Sequence, residues 1–259
     1  MAQDLLLIAK QNNIATLTIN RPEKRNALNL ELLHLLADTF NALKNDRDIR
    51  VVVLRGAEEK AFCSGIDMAD TAAMKVAQPD NPINRAIESV IAYPYPVIAM
   101  VYGAATGAGC DLAVSCDLRI AADTAVVGIN PVKIGRVYPP AGIQRLVNVV
   151  GLPRAKELFF TGRFVDARRA KEIGLIHHLV PAAELPSFTY ALAREIADNA
   201  PLAISTLKAM FNKVLAYQRL SPGDEKEIAA LIEIVEQSQD AVEGRAAFSE
   251  KRKPRFGGR

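Results

Sequence analysis

Gly103-Ala104-Ala105-Thr106-Gly107-Ala108-Gly109-Cys110-Asp111, read with the earlier Ala61-Phe62-Cys63-Ser64-Gly65-Ile66-Asp67, says most about this chain. Each stretch puts small residues where an apolar, strand-like run gives way to a helical pattern, and each ends in an acid. The first turn of a helix leaves backbone N–H groups without intrahelical partners, and glycine lets another molecule approach that backbone closely. Two such N–H groups aimed at one point make an oxyanion hole, often the largest single contribution in acyl-group chemistry.

Upstream of these loops the order is strand, strand, helix, strand. Leu5 to Ala9 is a short apolar run, and Ile14 to Ile19 alternates branched apolar residues with threonine, as a half-buried strand does. Arg21-Pro22-Glu23-Lys24-Arg25-Asn26 breaks the pattern with turn chemistry. From Asn29, a residue suited to an N-cap, Leu32, Leu33, Leu36, Phe40 and Leu43 recur at helical spacing. Val51-Val52-Val53-Leu54 is a continuous run, as expected of a strand covered on both faces. The polar segment from Asp70 to Asn84, with Pro79 and Pro82, predicts a helix fragment and a mobile loop suited to a substrate lid.

Pro96 to Tyr102 returns to strand, Gly107 to Ser115 to helix and Asp117 to Ala122 to strand. Short strands alternating with helices predict an α/β protein of stacked ββα units, although no exact internal repeat is visible. After Pro140 the chain is almost wholly helical, with amphipathic patterns at Ala183–Asn199, Pro201–Tyr217, Asp224–Ser238 and Asp240–Glu250. This shift divides the sequence into a mixed core over residues 1–199 and a helical region over 200–259. The exposed apolar helix faces of such a region call for a second subunit.

The 259 residues carry ample apolar material for a core, and a net charge of +3 is too weak to imply nucleic acid. Three cysteines, Cys63, Cys110 and Cys116, form neither an even framework nor a CxxC pair, so a disulfide scaffold and a structural metal site are not expected. Buried, inert thiols are the reading for Cys63 and Cys110. The N-terminal Met1-Ala2-Gln3-Asp4 lacks a signal-peptide pattern and no apolar run is long enough for a membrane span, which predicts a cytoplasmic protein.

At this point the sequence resembles the crotonase superfamily, also called the enoyl-CoA hydratase/isomerase family. The resemblance runs from Asn20-Arg21-Pro22 and Asn26-Ala27-Leu28-Asn29 through both glycine loops to Gly142-Ile143-Gln144-Arg145-Leu146. It continues through Phe160-Thr161-Gly162-Arg163 to Phe248-Ser249-Glu250-Lys251-Arg252-Lys253-Pro254. It implies a crotonase-like spiral of ββα units with a helical C-terminal trimerisation region, assembled as a homotrimer or a dimer of trimers. It implies an acyl-CoA thioester substrate and no permanently bound cofactor, coenzyme A being part of the substrate. Carried over by position, the oxyanion N–H groups belong to Ile66 and Ala108. Lys24, Arg25 and Ala27 fall near the CoA nucleotide, which Phe248 and Lys251 would approach from a neighbouring subunit. Cationic side chains suit phosphates, and a solvated turn is the plain alternative for Lys24 and Arg25. Asp67, next to Ile66, reads as a cap or loop brace rather than a catalytic group.

One departure bears on the reaction. Enoyl-CoA hydratases resembling this chain place a glutamate after the second glycine loop and another about twenty residues later, together gripping a water. Here the first position is Asp111 and the second aligns with Pro131, which cannot take a proton. Asn130-Pro131-Val132-Lys133-Ile134-Gly135-Arg136-Val137-Tyr138 instead resembles the methylmalonyl-CoA decarboxylase branch, which has a tyrosine at the place of Tyr138 but usually a glutamate at that of Asp111.

Loss of CO₂ from a malonyl-type thioester forms an enolate without removing a carbon-bound proton, so it fits the missing second acid. Tyr138 could orient the carboxylate, and Asp111 or a water could help protonate the enolate. The alternatives are a packed aromatic for Tyr138 and a structural brace for Asp111. Arg136 faces either an acidic substrate group or solvent. His34, His177 and His178 read as structural. Two further readings stand beside decarboxylation: a hydratase or double-bond isomerase using Asp111, and a non-catalytic CoA- or RNA-binding relative.

Overall fold

The computed structural model describes residues 4–70, 81–216 and 222–257. Strands β1 (Leu6–Gln11) and β2 (Ile14–Ile19) form an antiparallel hairpin, with Leu6 opposite Ile19 and Gln11 opposite Ile14. Asn12 and Asn13 turn it with φ of 52° and 63°, the left-handed pair that a two-residue hairpin needs and that asparagine tolerates. Helix α1 (Leu30–Leu43) starts where its cap predicts, the Asn29 side chain accepting the Leu32 N–H at 2.9 Å.

The next three units share one plan. β3 (Val51–Gly56) and β4 (Ala61–Cys63) lead to α2 (Pro82–Ile91), and β5 (Val97–Val101) and β6 (Ala104–Thr106) lead to α3 (Ala108–Ser115). β7 (Leu118–Ala122) and β8 (Val126–Gly128) are followed by a 3₁₀ turn at Pro131–Ile134 and by α4 (Pro140–Val150). In each unit the first strand joins a six-stranded sheet, ordered β1-β2-β3-β5-β7 and then β10 (His178–Val180), and the second joins a four-stranded sheet, β4-β6-β8 and then β9 (Val165–Asp166). This is the ββα spiral. The chain then runs through α5 (Leu152–Thr161), β9 (Val165–Asp166), α6 (Ala167–Glu172), β10 (His178–Val180), α7 (Leu185–Asp198), α8 (Pro201–Ala216), α9 (Pro222–Glu236) and α10 (Gln239–Ser249).

From β2 onward the larger sheet is parallel and covered on both faces, which accounts for the unbroken apolar runs. Val52, Leu54, Val97 and Ala99 enter the main core beneath α1, α2 and α3. Their neighbours Val51, Val53, Ile98 and Met100 enter a second core closed by Leu185, Ala193 and Ala197 of α7. Each such buried branched side chain contributes about 1.5–3 kcal/mol.

Arg119 of β7, also buried, fixes the far end of α3. Its guanidinium donates to the carbonyl oxygens of Cys116 at 2.8 Å and Val114 at 3.3 Å, and its Nε to Leu175 O at 2.8 Å. A cation at a helix C-terminus satisfies carbonyls that have no intrahelical donor. α3 is thereby anchored at one end while its N-terminus meets the glycine loops.

Most elements fall within a few residues of their sequence pattern. The short strands of the smaller sheet were not legible, because runs of two or three residues are too short to show a period. α4 begins at Pro140, whose fixed φ suits the first helical turn. Residues 71–80, where most of the expected lid falls, lie outside the described residues. Among the described residues no helix is long and apolar enough to cross a membrane.

Candidate active site

Both glycine loops open onto one cavity of about 500 Å³. Gly65, Ile66, Gly107, Ala108, Asp111 and Tyr138 all line it. A wider depression of about 1090 Å³ lies between α10 and the C-terminal residues, but it contains none of these groups, and its Arg252 is already paired with Glu243 and Glu250.

The two loops are held at fixed spacing. Leu28 N–H donates to Gly65 O at 2.7 Å and Asp67 N–H to Leu28 O at 2.8 Å, so Ile66 lies in a single bridge beside Leu28. Gly107 N–H donates to Gly128 O at 2.9 Å, and the Thr106 hydroxyl to Ser64 O at 3.1 Å. Gly109 packs against the Cys63 carbonyl so closely that a Cβ there would lie 2.1 Å from its oxygen. Among the described residues, the Ile66 and Ala108 N–H groups have no backbone acceptor. Two donors left open on one cavity wall are what an oxyanion site requires.

Asp67 braces this loop. Its carboxylate accepts from Arg21 Nη2 at 2.7 Å, and that bond holds its pKa below the usual carboxylate range. Cys63 and Cys110 are buried thiols whose pKa burial pushes up to about 12, so they are not nucleophiles.

Asp111, in the first turn of α3, is almost fully enclosed at 1% exposure while still lining the cavity. Its oxygens are occupied: Arg145 Nε donates to Oδ1 at 2.8 Å, Arg145 Nη2 to Oδ2 at 2.8 Å, and the Tyr138 hydroxyl to Oδ2 at 3.1 Å. Burial works against the Arg145 charge, and its bonds to Asp111 outweigh that and raise its pKa. Burial, followed by the Asp111 charge, pushes the Tyr138 phenol well above its ordinary range, so it is a neutral hydrogen-bond donor. Its ring leans on Phe159, with centroids 5.6 Å apart, and crosses the α4 backbone at Gly142, where a Cβ would meet the ring at 2.2 Å.

Lys24 and Arg25 are exposed at the cavity mouth beside the buried Ala27, and all three line it. Phe248, which the resemblance placed on a neighbouring subunit, lines the cavity of its own chain through α10. Lys251 is exposed just beyond α10 and is not part of the lining. Arg136 lines the cavity together with Tyr138, with its guanidinium already engaged. It makes a two-pronged pair with Glu236 of α9, at 2.8 and 3.1 Å. Sequence reasoning missed Arg145 as the partner of Asp111, whereas Asn81 and Ile83, which fall in the segment expected as a lid, do line the cavity. Gly142-Ile143-Gln144-Arg145-Leu146 was visible as a family signature, but nothing local links Arg145 to a carboxylate 34 residues away.

A ββα spiral around such a cavity defines the crotonase class of acyl-CoA enzymes. The chain belongs to the enoyl-CoA hydratase/isomerase family, whose pattern matches residues 9–259. A Bacillus subtilis protein provisionally named an enoyl-CoA hydratase/isomerase is 36% identical, covering 100% of both chains. A mouse mitochondrial methylglutaconyl-CoA hydratase is 33% identical over 96% of this chain and 81% of its own length. Among solved structures, a methylmalonyl-CoA decarboxylase in complex with 2-nitronate-propionyl-CoA superposes with a TM-score of 0.93 at 31% identity, covering 100% of both chains.

Proposed function

We propose that the protein decarboxylates a malonyl-type CoA thioester, of the methylmalonyl kind, by way of a thioester enolate. The carrying observation is the state of the two positions a hydratase would use. Pro131 has no titratable group, and both oxygens of Asp111 are engaged by Arg145. Syn-addition of water needs one group to activate water and another to protonate carbon, and Asp111 and Pro131 supply no free pair. The likeness to a decarboxylase over the full chain supports the same reading.

The steps follow from the residues. The thioester oxygen accepts from Ile66 and Ala108 N–H, and Lys24 and Arg25 meet the CoA phosphates, with Ala27, Phe248 and Lys251 beside the nucleotide. Tyr138 holds the substrate carboxylate out of the thioester plane. The bond from the α-carbon to the carboxylate breaks, its electron pair enters the enolate, and CO₂ leaves. The two N–H groups stabilise the charge that develops on oxygen, where preorganised donors act most strongly. The α-carbon then takes a proton from solvent, since the Asp111 oxygens already act as acceptors.

The assembly in this reading is a homotrimer or a dimer of trimers in the cytoplasm, with residues 200–259 as the oligomerisation region and no permanently bound cofactor. Leu207, Phe211 and Val214 of α8, each more than half exposed, form an apolar face that a second subunit would cover. Release of CO₂ from methylmalonyl-CoA, compared with malonyl- and crotonyl-CoA, tests the reaction. No CO₂ from any malonyl-type ester would remove it.

A second reading, hydration or double-bond isomerisation, is favoured by the placement of Asp111 on the cavity wall. Isomerisation needs only one proton shuttle. Crotonyl-CoA hydration or enoyl isomerisation that disappears in Asp111→Asn would establish it.

A further inference from the structure

Arg145 has no assigned part in the reaction, yet it grips both oxygens of Asp111, a carboxylate on the cavity wall. We propose that Arg145 is a positioning residue that releases the Tyr138 hydroxyl to an anionic acyl group, so that the site selects thioesters carrying an α-carboxylate over neutral ones. The inference rests on the decarboxylase reading for its substrate class, but its geometry does not depend on the reaction.

Tyr138 has one hydroxyl proton, and in the structure it goes to Asp111 Oδ2 at 3.1 Å. A substrate carboxylate can receive that proton only if Asp111 gives it up. A buried carboxylate with a single donor would resist strongly, because an unmet buried charge is costly. Here Asp111 keeps two charge-assisted bonds from Arg145, both at 2.8 Å, when the hydroxyl turns away. The bond to be released is the longest of the three.

The charge balance points the same way. Arg145 cancels the Asp111 charge on the wall an anion has to approach. Glu88, the other acid near Arg145, lies 3.9 Å from Nη1 and is 62% exposed, so solvent screens it. The Tyr138 ring stays fixed against Phe159 and Gly142, so only its hydroxyl hydrogen reorients. Without Arg145, Asp111 would both repel the incoming carboxylate and retain the Tyr138 proton.

The test is calorimetric binding of two unreactive CoA thioethers, identical except that one carries an α-carboxylate and the other a methyl group. The wild-type protein is expected to prefer the anionic ligand, and Arg145→Met to reduce that preference by about tenfold to a hundredfold. Arg145→Met/Asp111→Asn removes the stranded charge and should return the preference to within a few-fold of wild type. Tyr138→Phe should abolish it. Thermal melts establish that each protein is folded; if Arg145→Met is not, Arg145→Lys replaces it, and a reduced preference is again expected because lysine cannot grip both oxygens.

An unchanged preference in a folded Arg145 variant, or a folded double variant that fails to recover, overturns the inference. So does a wild-type protein with no preference. A wild-type protein that shows the Arg145-dependent preference but releases no CO₂ from methylmalonyl-CoA refutes the proposed reaction and leaves the inference standing.

Discussion

Gly109→Ala tests whether the spacing between the two glycine loops is what makes this site work. Alanine in place of glycine inside a helix ordinarily stabilises by about 1 kcal/mol. At this position the added methyl group would lie 2.1 Å from Cys63 O, 2.7 Å from its carbonyl carbon and 2.8 Å from Cys63 Cβ. Ordinary contact begins near 3.4 Å, so the N-terminus of α3 and the Cys63–Ile66 segment must part by more than 1 Å. Overpacking of this kind costs about 1–3 kcal/mol, which offsets the helix gain and leaves a net loss of up to about 2 kcal/mol. The kinetic effect should be larger, because the shift separates Ile66 N–H from Ala108 N–H directly. A misplacement of about 1 Å at reacting groups costs on the order of a hundredfold in rate. Urea denaturation gives the first quantity, and kcat on whichever CoA thioester the wild-type protein turns over gives the second. A variant as stable as wild type with kcat within threefold of it would refute the reasoning.

Three other perturbations separate structure from chemistry. Asp67→Ala should lower the melting temperature, because Arg21 loses its carboxylate and keeps only the Ala27 carbonyl, while turnover stays within about tenfold of wild type; a larger loss of turnover would make Asp67 more than a brace. Lys208→Met removes the donor to Asp117 at 2.7 Å and to Tyr95 O at 2.9 Å, and should cost about 2–3 kcal/mol in urea titration, since Asp117 keeps the Val97 N–H and some solvent. Burial first, then the charges of Arg119, His178 and Lys171, push the His177 pKa from 6.5 down to about 4, so the unfolded chain binds the extra proton between those values. Stability should therefore be complete above about pH 6.5 and decline as pH falls towards 4; His177→Gln should flatten that decline in denaturation series run at several pH values.

What could be read from the sequence was what is encoded locally. The Asn29 cap, the continuous Val51–Leu54 run and the glycine-rich start of α3 each state their structure in a few adjacent residues, and each is found where expected. Asp67 as a brace was legible for the same reason, since its place beside the loop limits what it can do. The smaller sheet was not legible, because Ala61–Cys63, Ala104–Thr106 and Val126–Gly128 acquire strand character only by pairing with one another. The state of Asp111 was hidden more deeply. Its partner Arg145 reaches it only because α4 packs across α3, and Arg136 finds Glu236 only because the C-terminal helices fold back over the Pro131–Ile134 turn of their own chain. Long-range ion pairs follow from tertiary geometry, and a single sequence carries no local signal for them.

In the proposed reaction these two loops stabilise an enolate made by losing CO₂ rather than one made on the way to adding water. Incubation with methylmalonyl-CoA in D₂O, followed by mass spectrometry, measures this directly. The expected products are CO₂ and propionyl-CoA carrying one deuterium at the α-carbon, with formation of both strongly reduced in Tyr138→Phe. Unchanged methylmalonyl-CoA, alongside ready hydration of crotonyl-CoA by the same preparation, would contradict it.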